Sequence, residues 1–392
     1  MKLEFPEGFL WGTGTASCHT EVLGDNDWRG YMTKDGKMLD RNIEHDLHRD
    51  EDADLIAELG NAYRFNFDWA KLQREPKGQL EIRAVEEYRN FLEKLKDKKM
   101  HLMAVLHHFS NPRWFVDAGG WTSKESAELF EDYAKKFVAA FGDLIDSWNT
   151  INEPAAYMTH GYLLGYLPPK KKDIIAGFMV LENLSKAHKL AYNVIKEKFP
   201  EKLTGISTNT LIFYPENPFG VMPAKIIEHF TLEHIPDMFK EADFNGISYY
   251  GKIPFAPGPI TEALNPGELE KLGKIHDKIW EYYPKGIEEV ITRFWNKNKK
   301  PVIITENGCC TDDDKFRVKS IKEHLKCIHE AVSKGVDVKG YFHWTVFDCP
   351  EAYLGEGFPF GLVSVDENMK RKLKESGKFY LKIGRENALD MD

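Results

Sequence analysis

Eight short apolar runs alternate with long amphipathic segments in this chain, and that alternation limits its possible folds more than any other feature. The runs are continuous in apolar character, whereas the segments repeat their apolar residues at helical spacing. No low-complexity tract, short repeat or Ser/Pro-rich linker interrupts the series. The predicted strands cover residues 9–16, 61–69, 101–109, 147–153, 203–213, 244–250, 301–308 and 340–347. The predicted helices cover residues 51–59, 84–98, 123–141, 174–198, 224–229, 275–298, 315–333 and 370–383.

Continuous apolar strands that alternate with helices are typical of a parallel sheet covered on both faces. Eight such units in one undivided chain predict an α/β fold of the (β/α)₈ or TIM-barrel type, with residues 1–392 forming a single catalytic domain. An open, doubly wound sheet is the alternative. That fold usually needs fewer strands and often has a glycine-rich turn, and no G-x-G-x-x-G opens a helix here.

Composition and charge exclude several classes of protein. With 42% hydrophobic residues in 392, the chain can bury a large core. Its net charge of −9 comes from interspersed Lys and Glu without a basic stripe, so we expect no nucleic-acid partner. The first residues, MKLEFPEGFL, do not resemble a secretory leader, and no run of about 18 uncharged apolar residues occurs. We therefore expect a cytoplasmic protein without a membrane partner.

Cysteine and glutamine usage agree with that compartment. The five cysteines are odd in number and contain no C-x-x-C, which disfavours both a disulfide framework and a zinc knuckle. Glutamine occurs only at Gln73 and Gln79, whereas Lys and Glu are abundant, a bias compatible with a thermophilic source.

In a barrel of this type, the residues that carry chemistry gather where the strands end at the C-terminal face, and the opposite face serves stability. Nearly every predicted strand of this chain ends in polar or aromatic residues, so a site could draw on most of them. These candidates are His19, Glu21, Arg64, His107, His108, Asn152, Glu153, Tyr249, Tyr250, Glu306, Asn307, Trp344, Asp348 and Glu351.

Two of these strand ends match in type, because INEP and TENG each place a glutamate, Glu153 or Glu306, beside an asparagine. Paired carboxylates across a barrel mouth suit glycoside hydrolysis, in which one acid protonates the leaving oxygen and the other attacks or stabilises the sugar carbon. Acyl transfer is disfavoured because no G-x-S-x-G occurs. A metal site is disfavoured because H-E-x-x-H and comparable spacings are missing, so we expect neither metal nor cofactor.

The sequence resembles glycoside hydrolase family 1 from FPEGFLWGTGTAS near its start to FGLVSVD at residues 360–366. WNTINEP resembles the acid/base motif of that family, and VIITENG resembles its nucleophile motif. The resemblance implies a retaining β-glycosidase of the β-glucoside and β-galactoside type that acts on a small saccharide or glycoside. It assigns the general acid/base to Glu153 and the nucleophile to Glu306, which retaining enzymes hold roughly 5–5.5 Å apart.

Further roles follow from the same resemblance. Arg64 matches the arginine that pairs with the nucleophile, Tyr250 matches its hydroxyl partner, and Asn152 matches the residue that binds the sugar 2-hydroxyl. The remaining matches are sugar-holding positions, which orient the substrate without performing chemistry. They are His108 on the 3-hydroxyl side, Trp344 as a platform under the ring, Glu351 on the far hydroxyls and Phe360 as an aromatic wall.

Several positions depart from the family pattern, among them Cys349, because the family commonly reads D-N-[F/Y]-E-W where this chain has DCPEA. His19 stands where a glutamine is usual, Ser248 where an asparagine is usual, and Ala352 where a second tryptophan is usual. A neutral histidine offers one donor and one acceptor on a ring, with a different reach from an amide. We expect His19 to contact substrate and the cleft to be open, and the choice among glucose, galactose, mannose and fucose stays open.

Other interpretations remain at this stage. A barrel-fold carbohydrate-binding protein that has lost turnover would explain the altered pocket, although both glutamates are intact. A transglycosylase, in which a sugar or alcohol replaces water in the second step, has the same motifs. Trp344 could be a core residue and Glu351 a surface-loop residue, and His107 is predicted to pack away from the site because strand neighbours point to opposite sides.

Overall fold

Eight parallel strands close into a barrel in the computed structural model, which describes residues 1–215, 218–255, 269–270 and 273–391. Each barrel strand pairs with its neighbours in chain order, and the last pairs with the first, Tyr341 opposite Trp11. The predicted (β/α)₈ barrel is therefore confirmed, and the open doubly wound sheet is excluded. The barrel strands are β1 (Leu10–Gly14), β2 (Ala62–Phe65), β3 (His101–His107), β4 (Ser147–Asn152), β5 (Leu203–Asn209), β6 (Asn245–Ser248), β7 (Val302–Asn307) and β8 (Val338–Trp344).

Long helices follow the barrel strands and cover its outside. They are α1 (Arg49–Leu59), α2 (Ile82–Asp97), α3 (Ser126–Phe141), α4 (Ile174–Lys198), α5 (Val221–His229), α6 (Lys285–Asn298), α7 (Asp314–Ser333) and α8 (Glu375–Glu386). Short α-helices occupy Ser17–Thr20, Trp69–Leu72, Arg113–Asp117, Pro154–Met158 and Ile235–Met238, 3₁₀ turns His45–Leu47, Gly120–Thr122 and Pro218–Gly220, and π turns Thr159–Leu163 and Phe230–His234.

In the described parts of the chain, three two-stranded sheets lie outside the barrel. Lys2–Glu4 pairs antiparallel with Ala388–Asp390, and Val363–Val365 pairs antiparallel with Arg371–Leu373. Ile212–Pro215 and Lys252–Phe255 follow β5 and β6 in the chain and pair in parallel. The fifth predicted strand, 203–213, is therefore two strands, because β5 ends at Asn209.

Three predicted helices begin later than their apolar spacing indicated, and the one predicted from residue 123 begins at Ser126. The helix predicted from residue 275 starts at Lys285, directly after Pro284, because a turn around Asp277 takes up the preceding residues. The helix predicted from residue 370 starts at Glu375, because Arg371–Leu373 forms a strand and the Arg371 guanidinium is held by the buried Asp52 carboxylate at 2.8 Å.

The barrel interior is apolar at its N-terminal end and polar above it. Ala62, Met103, Phe244, Ile303 and Phe342 form a buried cluster. A side chain at Gly12 would come within 2.2 Å of the Phe342 ring, so only glycine lets that ring fill the barrel. The layer toward the carboxyl ends carries hydrogen-bonding side chains instead, including Arg64, Asn149, Ser207 and Thr305.

Within the described residues, every helix is too short or too polar to cross a bilayer. All five cysteines are unpaired; Cys18, Cys309, Cys310 and Cys327 are buried, and Cys349 is partly exposed.

Candidate active site

The two motif glutamates both lie at the carboxyl end of the barrel. Glu306 is part of β7 and pairs in register with Ser248 of β6. Glu153 directly follows β4, where the chain takes a left-handed conformation with φ of 41° before Pro154 opens the next short helix. Both side chains are almost fully buried, with residue exposures of 6% for Glu153 and 4% for Glu306. In a buried site, ionisation of one carboxyl group disfavours ionisation of the other. The groups that contact each carboxyl therefore determine which of the two is ionised.

Glu306 is held by two donors. An Arg64 guanidinium nitrogen lies 2.6 Å from its Oε1, and the Tyr250 hydroxyl donates to its Oε2 at 2.8 Å. The Arg64 side chain is fully buried, so its charge acts on Glu306 without screening by solvent. Burial and the nearby Glu306 charge raise the pKa of the Tyr250 hydroxyl well above its usual range, so it remains a donor. These contacts favour an ionised Glu306 carboxylate.

Glu153 has the opposite environment. Burial, followed by the charge of Glu306, raises the pKa of the Glu153 carboxyl to about 8. Its Oε2 accepts a long hydrogen bond of 3.4 Å from Asn209, and its Oε1 has no partner within the described part of the chain. A carboxyl group with this pKa is protonated at neutral pH and can donate its proton.

A hydrogen-bond network ties both carboxylates to the barrel. The second guanidinium arm of Arg64 donates to Asn152 Oδ1 at 2.6 Å and to Ser207 Oγ at 3.1 Å. The Asn152 amide lies 3.0 Å from His108 Nε2. Burial and the Arg64 charge hold the pKa of His108 well below its usual range, so the ring is neutral and Nε2 accepts from Asn152. This contact fixes the His108 tautomer, in which Nδ1 carries the ring proton.

Further aromatic and polar groups line the same cavity. The rings of His108 and Trp344 stack with centroids 5.6 Å apart, and His19 meets Trp344 edge-on at 5.9 Å. Burial lowers the pKa of His19 to about 4, and burial with the Glu306 charge raises the pKa of Glu351 to about 8. Both His19 ring nitrogens and His108 Nδ1 lack partners among the described residues, although buried polar groups are normally satisfied. Unpaired buried donors and acceptors of this kind suit a ligand with many hydroxyls.

One cavity of about 790 Å³ joins these groups. Among the residues predicted from the sequence, it brings together His19, His108, Asn152, Glu153, Tyr250, Glu306, Trp344, Glu351 and Phe360. Arg64 does not line the cavity itself and acts on it through Glu306 and Asn152. In the described residues, no cluster of three or more His, Cys, Asp or Glu side chains is placed to hold a metal ion.

Five strand-end candidates serve other purposes, and one of them is Asn307, whose amide donates to the Tyr249 carbonyl at 2.6 Å. Glu21 accepts from Lys71 at 2.8 Å and from the Tyr88 hydroxyl at 2.7 Å in a buried charged cluster. Asp348 pairs with Lys374, and Tyr249 donates to a backbone carbonyl. His107 packs on Trp121 and Tyr157 away from the cavity, as the alternation along the strand predicts.

Two cavity residues that contact Glu153 or Tyr250 were missed by the sequence analysis. Trp280 stacks on Tyr250 with ring centroids 4.7 Å apart and an interplanar angle of 18°. Its position fell inside the helix predicted from residue 275, and Pro284 was the signal that the helix starts later. Asn209, which bonds Glu153, is the last residue of β5, and it was overlooked because the apolar run continued to Phe213.

The comparisons with known proteins agree with this site. A family model described as glycosyl hydrolase family 1 matches residues 1–247 and 224–389. Beta-glucosidase A of Thermotoga maritima is 29% identical over 446 aligned residues, covering 99% of this chain and 99% of that protein. A solved beta-glycosidase from Pyrococcus horikoshii superposes with a TM-score of 0.88 at 31% identity, covering 100% of this chain and 97% of that one.

A beta-glucosidase from Thermotoga maritima in complex with deoxynojirimycin also has a TM-score of 0.88, at 27% identity and 100% coverage of both chains. A closed barrel with two buried glutamates at its mouth is the arrangement of a barrel glycosidase. The chain belongs to glycosyl hydrolase family 1, as its motifs predicted, and it is an enzyme of that class.

Proposed function

We propose that this family 1 enzyme hydrolyses β-linked glycosides, of the β-glucoside and β-galactoside type, by removing one terminal sugar with retention of configuration. Residues 1–392 form one catalytic domain in this proposal. It rests on the asymmetry between the two carboxyl groups. Glu306 is held by Arg64 and Tyr250, whereas burial and the Glu306 charge raise the pKa of Glu153 to about 8. One acid is thus prepared to attack and the other to donate a proton.

The reaction proceeds in two displacements. In the first, Glu306 attacks the anomeric carbon and forms a glycosyl ester, while Glu153 protonates the glycosidic oxygen so that the alcohol leaves. In the second, ionised Glu153 takes a proton from water, the resulting hydroxide attacks the anomeric carbon, and Glu306 is released as a carboxylate. Arg64 and Tyr250 hold Glu306 in position and stabilise its charge before and after the ester forms.

The remaining cavity residues hold the sugar in this proposal. Asn152 presents its amide to the 2-hydroxyl, and its bonds to Arg64 and His108 fix its orientation. The Trp344 indole provides an apolar face for the sugar ring, with Phe360 as a wall of the same cavity. His19, His108 and Glu351 contact the outer hydroxyls, which is supported by the unpaired ring nitrogens of the two histidines.

The test is the substitution Glu306→Ala. We expect loss of aryl β-glycoside hydrolysis by at least about 10³-fold, and recovery with azide, which replaces the missing nucleophile and gives the inverted glycosyl azide. The exposed Glu356→Ala serves as the matched control and leaves activity unchanged. Proton NMR of the sugar first released by the unmodified enzyme supplies a second readout. Undiminished activity in Glu306→Ala, or an α-anomer as first product, contradicts the mechanism.

A further inference from the structure

The active-site cavity continues past Glu153 into a hydrophobic extension, the apolar trough. Its residues line the same cavity as the two glutamates, and they come from α4, α5 and the segments that leave β4 and β5. The trough is formed by Leu163, Ile174, Phe178, Phe213, Ile227 and Phe230.

Two stretches of chain lead from Glu153 into the trough. The helix Pro154–Met158 and the turn Thr159–Leu163 continue directly from the acid, and Leu163 lines the cavity. Asn209 bonds Glu153, and Phe213, in the strand that follows, lines the cavity as well. Gly177 lets α4 approach Leu163, since an added Cβ would meet that side chain at 3.2 Å. The trough therefore starts at the proton donor.

The position of the proton donor determines which half of a substrate enters the trough. Glu153 protonates the oxygen that leaves with the alcohol, so the leaving group must lie on the Glu153 side of the cavity. The groups with unpaired nitrogens, His19 and His108, follow β1 and β3 on the side of Trp344 and suit the sugar. The trough consequently receives the aglycone.

The lining of the trough disfavours a polar aglycone. The six trough residues are all apolar, and the three lysines of the described cavity wall come from other segments. Lys34 follows β1, Lys278 follows β6, and the Lys170 ammonium lies 4.0 Å from the centre of the Tyr31 ring. Thr159, Asn209 and Thr231 supply few hydrogen bonds. A second sugar would leave most of its hydroxyls unsatisfied there, whereas a hydrocarbon chain loses nothing by leaving water.

The mouth of the trough is also hydrophobic. Ile174 is 62% exposed and Phe178 is 49% exposed, although both line the cavity. The Phe178 and Phe230 rings meet edge-on at 6.0 Å, which joins α4 to the turn after α5. Further exposed apolar side chains flank them on the same two helices, and a patch of this kind beside a cavity marks a binding site for an apolar group. They are Ile175, Met179, Met222 and Ile226.

We propose that the trough binds a long hydrocarbon chain, so that the enzyme prefers β-glycosides of long-chain alcohols to oligosaccharides. This inference rests on the proposed hydrolytic function and names the class of its leaving group. The chain runs from the glycosidic oxygen beside Glu153, between Leu163 and Phe213, to the mouth at Ile174 and Phe178. The substrate could reach the site as a dissolved monomer or from a lipid assembly, and its hydrocarbon chain occupies the same trough in both cases.

The experiment compares glycosyl fluorides with n-alkyl β-glycosides from methyl to decyl, all below their critical micelle concentrations. β-Glucosyl and β-galactosyl fluoride carry no aglycone, so the turnover of these β-fluorides reports on Glu306 and the sugar pocket alone. We expect kcat/KM of the alkyl series to rise about two- to fourfold per added methylene until the trough is filled. Cellobiose and cellotriose should fall below the octyl glycoside.

Matched variants locate the chain. Ile174→Ser and Phe178→Ser should reduce the dependence on chain length by at least half in its logarithmic slope, with glycosyl fluoride turnover unchanged. Ile82→Ser is the control, since this 76% exposed isoleucine on α2 belongs neither to the described cavity wall nor to the patch at its mouth. A dialkylglycerol glycoside in phosphatidylcholine vesicles is the second arm. If Met222→Ser slows hydrolysis of the vesicle-bound glycoside but not of the dissolved alkyl glycosides, the enzyme takes its substrate from a lipid surface. If the vesicle-bound glycoside is not hydrolysed, the enzyme takes its substrate as a dissolved monomer.

The outcomes separate the two proposals. Fluoride turnover with a flat alkyl series overturns this inference alone, and so does a slope that Ile174→Ser and Phe178→Ser leave unchanged. Absent turnover of both fluorides overturns the proposed function, and this inference with it. A slope that falls in the two trough variants and persists in Ile82→Ser supports the trough as the aglycone site.

Discussion

Glu153 and Glu306 are the same residue type in similar motifs, yet their neighbours give them different properties. Arg64 and Tyr250 both contact Glu306, whereas Glu153 receives one long hydrogen bond from Asn209. In a buried site the charge of one carboxylate raises the pKa of the other. In the proposed mechanism, the partners of each carboxyl group therefore determine which glutamate is the nucleophile and which is the acid.

The raised pKa of Glu153 predicts the alkaline limb of the pH profile. Glu153 must be protonated to assist the leaving group, so kcat/KM for alkyl β-glycosides should fall as pH rises through about 8. A dinitrophenyl glycoside needs no proton donor, so Glu153→Gln should form the glycosyl-enzyme from it at a rate that is flat across this range. The measurement is single-turnover kinetics between pH 5 and 10.

Glu351 requires a control in that experiment, because burial and the Glu306 charge raise its pKa to about 8 as well. In Glu351→Gln the alkaline limb for alkyl glycosides should persist, at a lower kcat/KM, if Glu153 is the donor. Loss of the limb in Glu351→Gln and its retention in Glu153→Gln would reverse the assignment.

Much of the candidate site could be predicted from single strand ends, because each barrel strand delivers its last residues to one face. His108, Asn152 and Glu306 lie at or directly after the ends of their strands and reach one cavity. Trp280 could not be found in that way, since it belongs to a turn held by the Asp277 carboxylate, which accepts from the Trp280 amide at 2.7 Å. That turn depends on tertiary contacts, including the amide of Cys310, that local spacing does not encode.

At the scale of elements, the existence of the helices was predictable, whereas the starts of several of them were not. The bounds of α4 match the apolar spacing, since Asp173 caps its first turn through the amides of Ile175 and Ala176. The predicted start at residue 370 was wrong because a distant partner, Asp52 on α1, fixes Arg371 in an extended segment. The spacing of apolar residues indicates which side chains face the core, but it does not indicate which polar group holds a segment in place.

The Arg371–Asp52 pair gives a prediction about how elements are joined. Both side chains are fully buried, and the His45 ring lies 2.8 Å from the same carboxylate. Removing one partner leaves a buried charge without compensation, so Arg371→Met should lower the free energy of unfolding by about 3–5 kcal/mol. The control is Arg83→Met, because that arginine side chain is 90% exposed and pairs with Glu87 on one helix surface.

Calorimetry of both variants at pH 7 checks this expectation. The melting temperature should fall clearly in Arg371→Met and should stay within error of the parent in Arg83→Met. Equal melting temperatures would mean that the segment Arg371–Leu373 is held by its strand pairing with Val363–Val365 rather than by the ion pair.

At the scale of the whole molecule, stability and chemistry occupy opposite ends of the barrel. The apolar cluster around Phe342 fills the N-terminal end, the network of Arg64 and Ser207 lies above it, and the cavity opens at the carboxyl ends. The buried polar side chains of the network, which would destabilise the fold if they were unpaired, therefore lie on a closely packed apolar layer that holds them in position. Barrel order followed from the sequence, whereas the apolar trough did not, because its residues come from helices and turns far apart in the chain.

Asn387 joins the two ends of the described chain at the N-terminal end of the barrel, and it supports the last prediction. Its Oδ1 accepts from the Trp11 indole at 2.9 Å, its amide donates to the Phe5 carbonyl at 2.8 Å, and its φ is 47°. Asn387→Gly keeps this backbone conformation but loses the side-chain bonds, so it should cost about 2–3 kcal/mol of stability. Asn387→Ala adds left-handed strain and should cost about 1 kcal/mol more. Glycosyl fluoride turnover at 25 °C should be unchanged in both, since the cavity lies at the other end, and melting temperatures in the order parent, Gly, Ala would establish the link. If both variants melt with the parent, the antiparallel pairing of Lys2–Glu4 with Ala388–Asp390 suffices to join the ends.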